Sequence, residues 1–143
     1  MTDYVAKATT TIDATPDAVW KALIAPDLIR EYMFGTNVTS DWKEGGAITW
    51  QGEWKGKAYE DKGTILQMTP GKVLRYTHFS PLAGLPDLPE NYHKVTIELT
   101  GSGASTNVTL SQDGNATEEE RDHSQENWSM MLDGLKKVVE GQS

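Results

Sequence analysis

The stretch Trp128-Ser-Met-Met-Leu-Asp-Gly-Leu-Lys-Lys-Val-Val139 sets the architecture of this chain. Its apolar residues Trp128, Met131, Leu132, Leu135, Val138 and Val139 recur at offsets of three, four, seven, ten and eleven, which places them on one stripe of a long helix. Upstream, Thr117 and Glu120 have the spacing of a capping box, in which hydroxyl and carboxylate satisfy orphaned backbone N–H groups reciprocally. Glu118, Glu119 and Glu120 also suit the positive end of the helix dipole. A lone terminal helix with a Trp-bearing face needs a surface to cover. The upstream sequence offers only a sheet.

The strands of that sheet are legible from their punctuation. Residues 4–12 are rich in β-branched side chains and predict a first strand. Thr15 and Pro16 then start a helix whose apolar face is Val19, Trp20, Leu23 and Ile24. Pro26 ends it, and Asp27 to Met33 predict a second short helix. Strand-like runs follow at about 46–54, 58–68, 72–79, 92–100 and 105–112. Lys55-Gly56, Pro70-Gly71 and Ser102-Gly103 separate them as tight turns, so the sheet is expected to be an antiparallel meander. The remaining separator, Ser80 to Asn91, holds three prolines and three leucines and reads as an ordered flap.

Length and composition bound the function. A chain of 143 residues is expected to be one domain, residues 1–143. It has no cysteine, hence no disulfide and no thiolate metal site. The formal net charge of −8 and the lack of a basic stripe argue against a nucleic-acid partner. No apolar run approaches a membrane span and no secretory leader is visible, so a cytoplasmic protein without membrane insertion is expected.

Register bookkeeping then assigns faces. Residues 93–99 alternate cleanly, with His93, Val95, Ile97 and Leu99 on one side. A turn at Ser102-Gly103 would set Leu99 against Thr106, Ile97 against Val108, Val95 against Leu110 and His93 against Gln112. Pairing His78 with His93 sets Tyr76 against Val95 and Leu74 against Ile97. Turns at Pro70-Gly71 and Lys55-Gly56 would add Ile65, Gly63, Asp61 and Tyr59, then Trp50 and Ile48, to the same face, whereas a one-residue slip there would put Lys62 in place of Asp61. That face is apolar at one end, while Asp61, His78, His93 and Gln112 form a polar row at the other. Burying such a row costs on the order of 1–3 kcal/mol per group unless each finds a partner.

The order of elements resembles the helix-grip fold of the START-like (SRPBCC) superfamily, which includes the birch-pollen-type allergens and polyketide cyclases. Ala14-Thr-Pro-Asp-Ala-Val-Trp-Lys-Ala-Leu23, Gly63-Thr-Ile-Leu66, Leu74-Arg-Tyr-Thr77 and Trp128…Leu132…Leu135 look like the standalone bacterial branch named after the activator of the heat-shock-protein-ninety ATPase. The resemblance implies an α+β fold: a curved antiparallel sheet of six to seven strands gripping the C-terminal helix, with two short helices after the first strand. It also implies a cavity for an apolar small molecule between sheet and helix. The eukaryotic cochaperone behind the branch's name carries a separate N-terminal domain, which the residues here do not supply.

Three readings of the site stand side by side. In the first, the protein holds an unidentified apolar or amphipathic ligand and needs no cofactor or metal. Trp50, Tyr59, Tyr76, Val95, Trp128 and Met131 wall the cavity, and His78, His93 and Asp61 make its polar end. In the second, it is an interaction module with a chaperone contact or a weak homodimer, using an exposed apolar patch. In the third, the His78/His93 pair does acid–base work in a cyclase- or hydrolase-like reaction. Plain core packing competes for every apolar residue named. Gly134, inside the helix, either permits close approach to the sheet or has no role.

Overall fold

The computed structural model describes residues 4–33, 35–54, 56–80, 86–88, 91–115 and 117–141. Strand β1 (Tyr4–Ile12) leads into helices α1 (Pro16–Ile24) and α2 (Pro26–Tyr32). Strands β2 (Asn37–Ser40), β3 (Ala47–Trp54), β4 (Lys57–Thr69), β5 (Val73–His78), β6 (His93–Ser102) and β7 (Ser105–Asn115) follow, and α3 (Glu118–Gly141) is the last described element. All seven strands join one antiparallel sheet in the order β1-β7-β6-β5-β4-β3-β2. The expected α+β helix-grip class is the observed one.

Local chemistry starts α1 and α3 as the sequence predicts. The Thr15 hydroxyl accepts from the Ala18 amide at 3.3 Å, with Pro16 in the first turn. The Thr117 hydroxyl accepts from the Glu120 amide at 3.1 Å. Pro26 opens α2 as well as closing α1, because its missing N–H is one the first helical turn leaves unpaired anyway. Met131, Leu132, Leu135 and Val139 are buried on α3, while Trp128 and Val138 flank them half-buried. The helix is bound to the sheet margin at several points. Gln125 Oε1 accepts from the Lys7 amide, and Glu140 Oε2 accepts from the Asp13 amide at 2.9 Å. The Lys136 ammonium donates to the Thr11 carbonyl at 2.7 Å.

Most of the expected registers are present. His78 opposes His93, Tyr76 opposes Val95, and Leu74 opposes Ile97. Trp50 opposes Asp61 and Ile48 opposes Gly63, so Asp61 rather than Lys62 lies on the inner face. The β6–β7 hairpin differs from expectation by two residues. Its loop is Gly103-Ala104, which pairs Leu99 with Val108, Ile97 with Leu110 and Val95 with Gln112. Gly103 sits at φ +67°, and the first loop position of a tight hairpin is where a positive φ is needed. A two-residue shift preserves the face of every side chain, but it moves Gln112 away from His93.

Two further features escaped the sequence reading. Strand β2 pairs with β3 through Val38 and Trp50 and was not expected as a strand. A bulge between Ile65 and Gln67 leaves Leu66 exposed and turns Met68 inward opposite Leu74. Gly134 does permit a close approach, but to α2 and not to the sheet. A Cβ there would stand 3.1 Å from Tyr32 Cβ. The buried Tyr32 phenol donates to the Ala22 carbonyl at 2.9 Å and so ties α2 to α1.

Candidate functional site

The inner face of the sheet and residues Ser124 to Met131 of α3 border a cavity of about 530 Å³. Its apolar wall is Trp50 from β3, Tyr76 from β5, Phe79 just beyond β5, Met33 after α2, and Trp128 and Met131 from α3. Trp50 and Tyr76 pack at 5.2 Å between ring centroids, and the His78 ring meets Trp50 edge-on at 5.0 Å. Burial pushes the Tyr76 phenol well above the usual tyrosine range, so it enters the wall as a neutral group.

The polar side is built from adjacent strands. Asp61 Oδ2 accepts from His78 Nε2 at 3.0 Å, and the pair is largely shielded from solvent. Asp61 Oδ1 is buried and meets no donor among the described residues. His93 Nδ1 donates to the Asp113 carbonyl at 2.8 Å, a contact made possible by Gly114. A Cβ at that position would fall 2.9 Å from the ring nitrogen. Gln112 Oε1 accepts from the Trp128 indole N–H, which locks the helix tryptophan to β7. Thr36 and Tyr59 share a 2.6 Å hydrogen bond on the far side. The two imidazoles therefore face one space through different partners. Among the described residues no three His, Asp or Glu side chains converge in a way that could hold a metal ion.

Eight of the nine residues singled out from the sequence border this space: Trp50, Tyr59, Asp61, Tyr76, His78, His93, Trp128 and Met131. Val95 does not. It is 1 % exposed and sealed in the core, paired with Tyr76 on one side and Gln112 on the other. The sequence reading missed Met33, Thr36, Phe79, Ser124 and Asn127 as border residues, while Ser80 and Asn91, which also border the space, are the two ends of the expected flap. Ser124 and Asn127 extend the stripe of Trp128 and Met131 by one turn, at helical spacing, with polar side chains an apolar pattern does not register. The expected flap falls partly on residues 81–85 and 89–90, outside the described residues. Within the described part, Asp87 pairs with Lys62 and accepts from the Tyr92 hydroxyl at 2.5 Å, while Tyr92 stacks on Phe79 at 5.0 Å. The Lys62 ammonium and the Tyr92 hydroxyl hold the Asp87 carboxyl below the usual carboxylate range. No helix among the described residues is long and apolar enough to cross a membrane.

Known proteins share this fold. The solution structure of a protein from Cytophaga hutchinsonii is 59% identical, covering 96% of this chain and 94% of that one, with a TM-score of 0.84. The Aha1 dimer from Colwellia psychrerythraea shares the fold at 17% identity and a TM-score of 0.73, covering 98% of this chain and 96% of that one. The protein CalU16 from Micromonospora echinospora does so at 21% identity and 0.73, covering 99% and 88%. No curated protein matches significantly. The family profile described as Activator of Hsp90 ATPase homolog 1-like protein matches residues 13–140, nearly the whole chain, and the chain belongs to that family.

Proposed function

We propose that this protein is a small-molecule binder that encloses an apolar or amphipathic ligand between the inner sheet face and the first half of α3. The observation that carries the reading is the cavity itself. At about 530 Å³ it falls within the roughly 300–1,000 Å³ of ligand sites. Its apolar wall is aromatic and thioether, and its polar border combines Asp61, His78, His93 and Gln112 from the sheet with hydroxyl and amide side chains such as Ser124 and Asn127 from α3. Rings and methionines give a large adaptable contact area, and a few fixed polar atoms orient what they hold. A sheet that served only as a core floor would have no use for a carboxylate–imidazole pair facing a void.

Native mass spectrometry of protein purified from its own host tests the reading. The expected spectrum contains the chain plus one small molecule, which is lost on denaturation. A bare chain under conditions that preserve non-covalent complexes, together with a co-purifying protein partner, would favour the interaction-module alternative.

A further inference from the structure

Resting on that reading, we infer that the cavity selects a ligand whose head group donates hydrogen bonds, a hydroxyl or an ammonium, and rejects an acid. The argument starts from the tautomers. Carboxylate and carbonyl oxygens only accept, so the partners of the two imidazoles fix where their hydrogens lie. His78 carries its hydrogen on Nε2, toward Asp61, and His93 carries its hydrogen on Nδ1, toward the Asp113 carbonyl. In their neutral forms, His78 Nδ1 and His93 Nε2 are therefore both lone-pair acceptors.

Charge points the same way. Asp61 is the one formally charged side chain among the described border residues, and no described Lys or Arg borders the space. Asp61 Oδ1 is buried and meets no donor among the described residues, so no second hydrogen bond there offsets the negative charge of this carboxylate. The Gln112 carbonyl is occupied by the Trp128 indole, which leaves its amide N–H group as a donor, and the other donors on the border, hydroxyls and amides such as Ser80 and Asn127, are neutral as well. A neutral amide can serve a ligand carbonyl or ether, but it does not offset a full negative charge. An acid would lose its hydration and meet a carboxylate; a hydroxyl or ammonium would meet acceptors. The aromatic faces of Trp50, Tyr76 and Trp128 further favour a cationic over an anionic guest.

The test uses four para-substituted biphenyls that share one apolar body and carry a hydroxyl, a methylammonium, a carboxylate or a methyl group. Binding to the full chain near neutral pH is followed by tryptophan fluorescence and by NMR. The hydroxyl and methylammonium compounds are expected to bind at least about tenfold more tightly than the carboxylate. In Asp61→Asn, the preference of methylammonium over carboxylate is expected to shrink several-fold. If the carboxylate binds as tightly as the hydroxyl while methylbiphenyl also binds, the head-group inference is overturned and the cavity reading survives. If none of the four binds, the cavity reading fails and the inference fails with it. The four-compound comparison on the unmodified protein decides the matter even if Asp61→Asn does not fold.

Discussion

Gly63→Ala is expected to cost at least about 3 kcal/mol of folding stability, at or beyond the upper end of ordinary overpacking. A Cβ on residue 63 would stand 1.7 Å from the Thr77 carbonyl oxygen and 2.6 Å from its carbon. Both are backbone atoms of β5, so no rotamer change relieves the clash. Nor can β5 retreat, because it is paired along its other edge with β6 from Val73 to His78. The strand backbones approach this closely only because residue 63 has no side chain. The site is next door, since Gly63 lies two residues from Asp61 and meets the peptide that carries His78. Urea unfolding of the variant measures the loss. A change below about 1 kcal/mol would mean that β4 and β5 are not packed as described.

Leu135→Ala is expected to lose about 3 kcal/mol, within the range for emptying a fully buried leucine site. Leu135 is completely buried where α3 passes over the sheet, and Gly134 beside it brings α2 within van der Waals contact. With helices on one side and strands on the other, the lining has little room to collapse into the space. Met130, half exposed on the outer face of α3, supplies the control. Met130→Ala is expected to change stability by less than about 0.5 kcal/mol. Equal losses at both positions would contradict the assignment of the buried stripe.

The stripe of α3 was legible because apolar residues at helical spacing have one common explanation, burial on one face. The strand faces were legible for a similar reason. Alternation from His93 to Leu99 and the pairing of His78 with His93 constrain each other, and a single-residue slip would have exposed every apolar side chain. The hairpin before Ser105 escaped that check because a slip of two changes partners without changing faces. Strand β2 escaped because Asn37-Val-Thr-Ser40 is four residues long and buries only Val38. Alternation also cannot tell cavity wall from core. Val95 and His93 share a face and a strand, yet one is sealed in the core and the other borders a void. Thr36, Ser124 and Asn127 stayed hidden for the converse reason: a reading that follows apolar periodicity does not register polar side chains that line a container.

Whether the container holds a guest is decided by mapping backbone amide shifts by NMR as a neutral amphiphile, N-phenylnaphthylamine, is titrated into the full chain. Saturating shifts confined to Thr36, Trp50, Tyr76, His78, Trp128, Met131 and their neighbours are expected, since these residues border the cavity. Shifts that do not saturate, or that fall on exposed positions such as Leu66 and Met130 while the cavity residues stay unmoved, would contradict it.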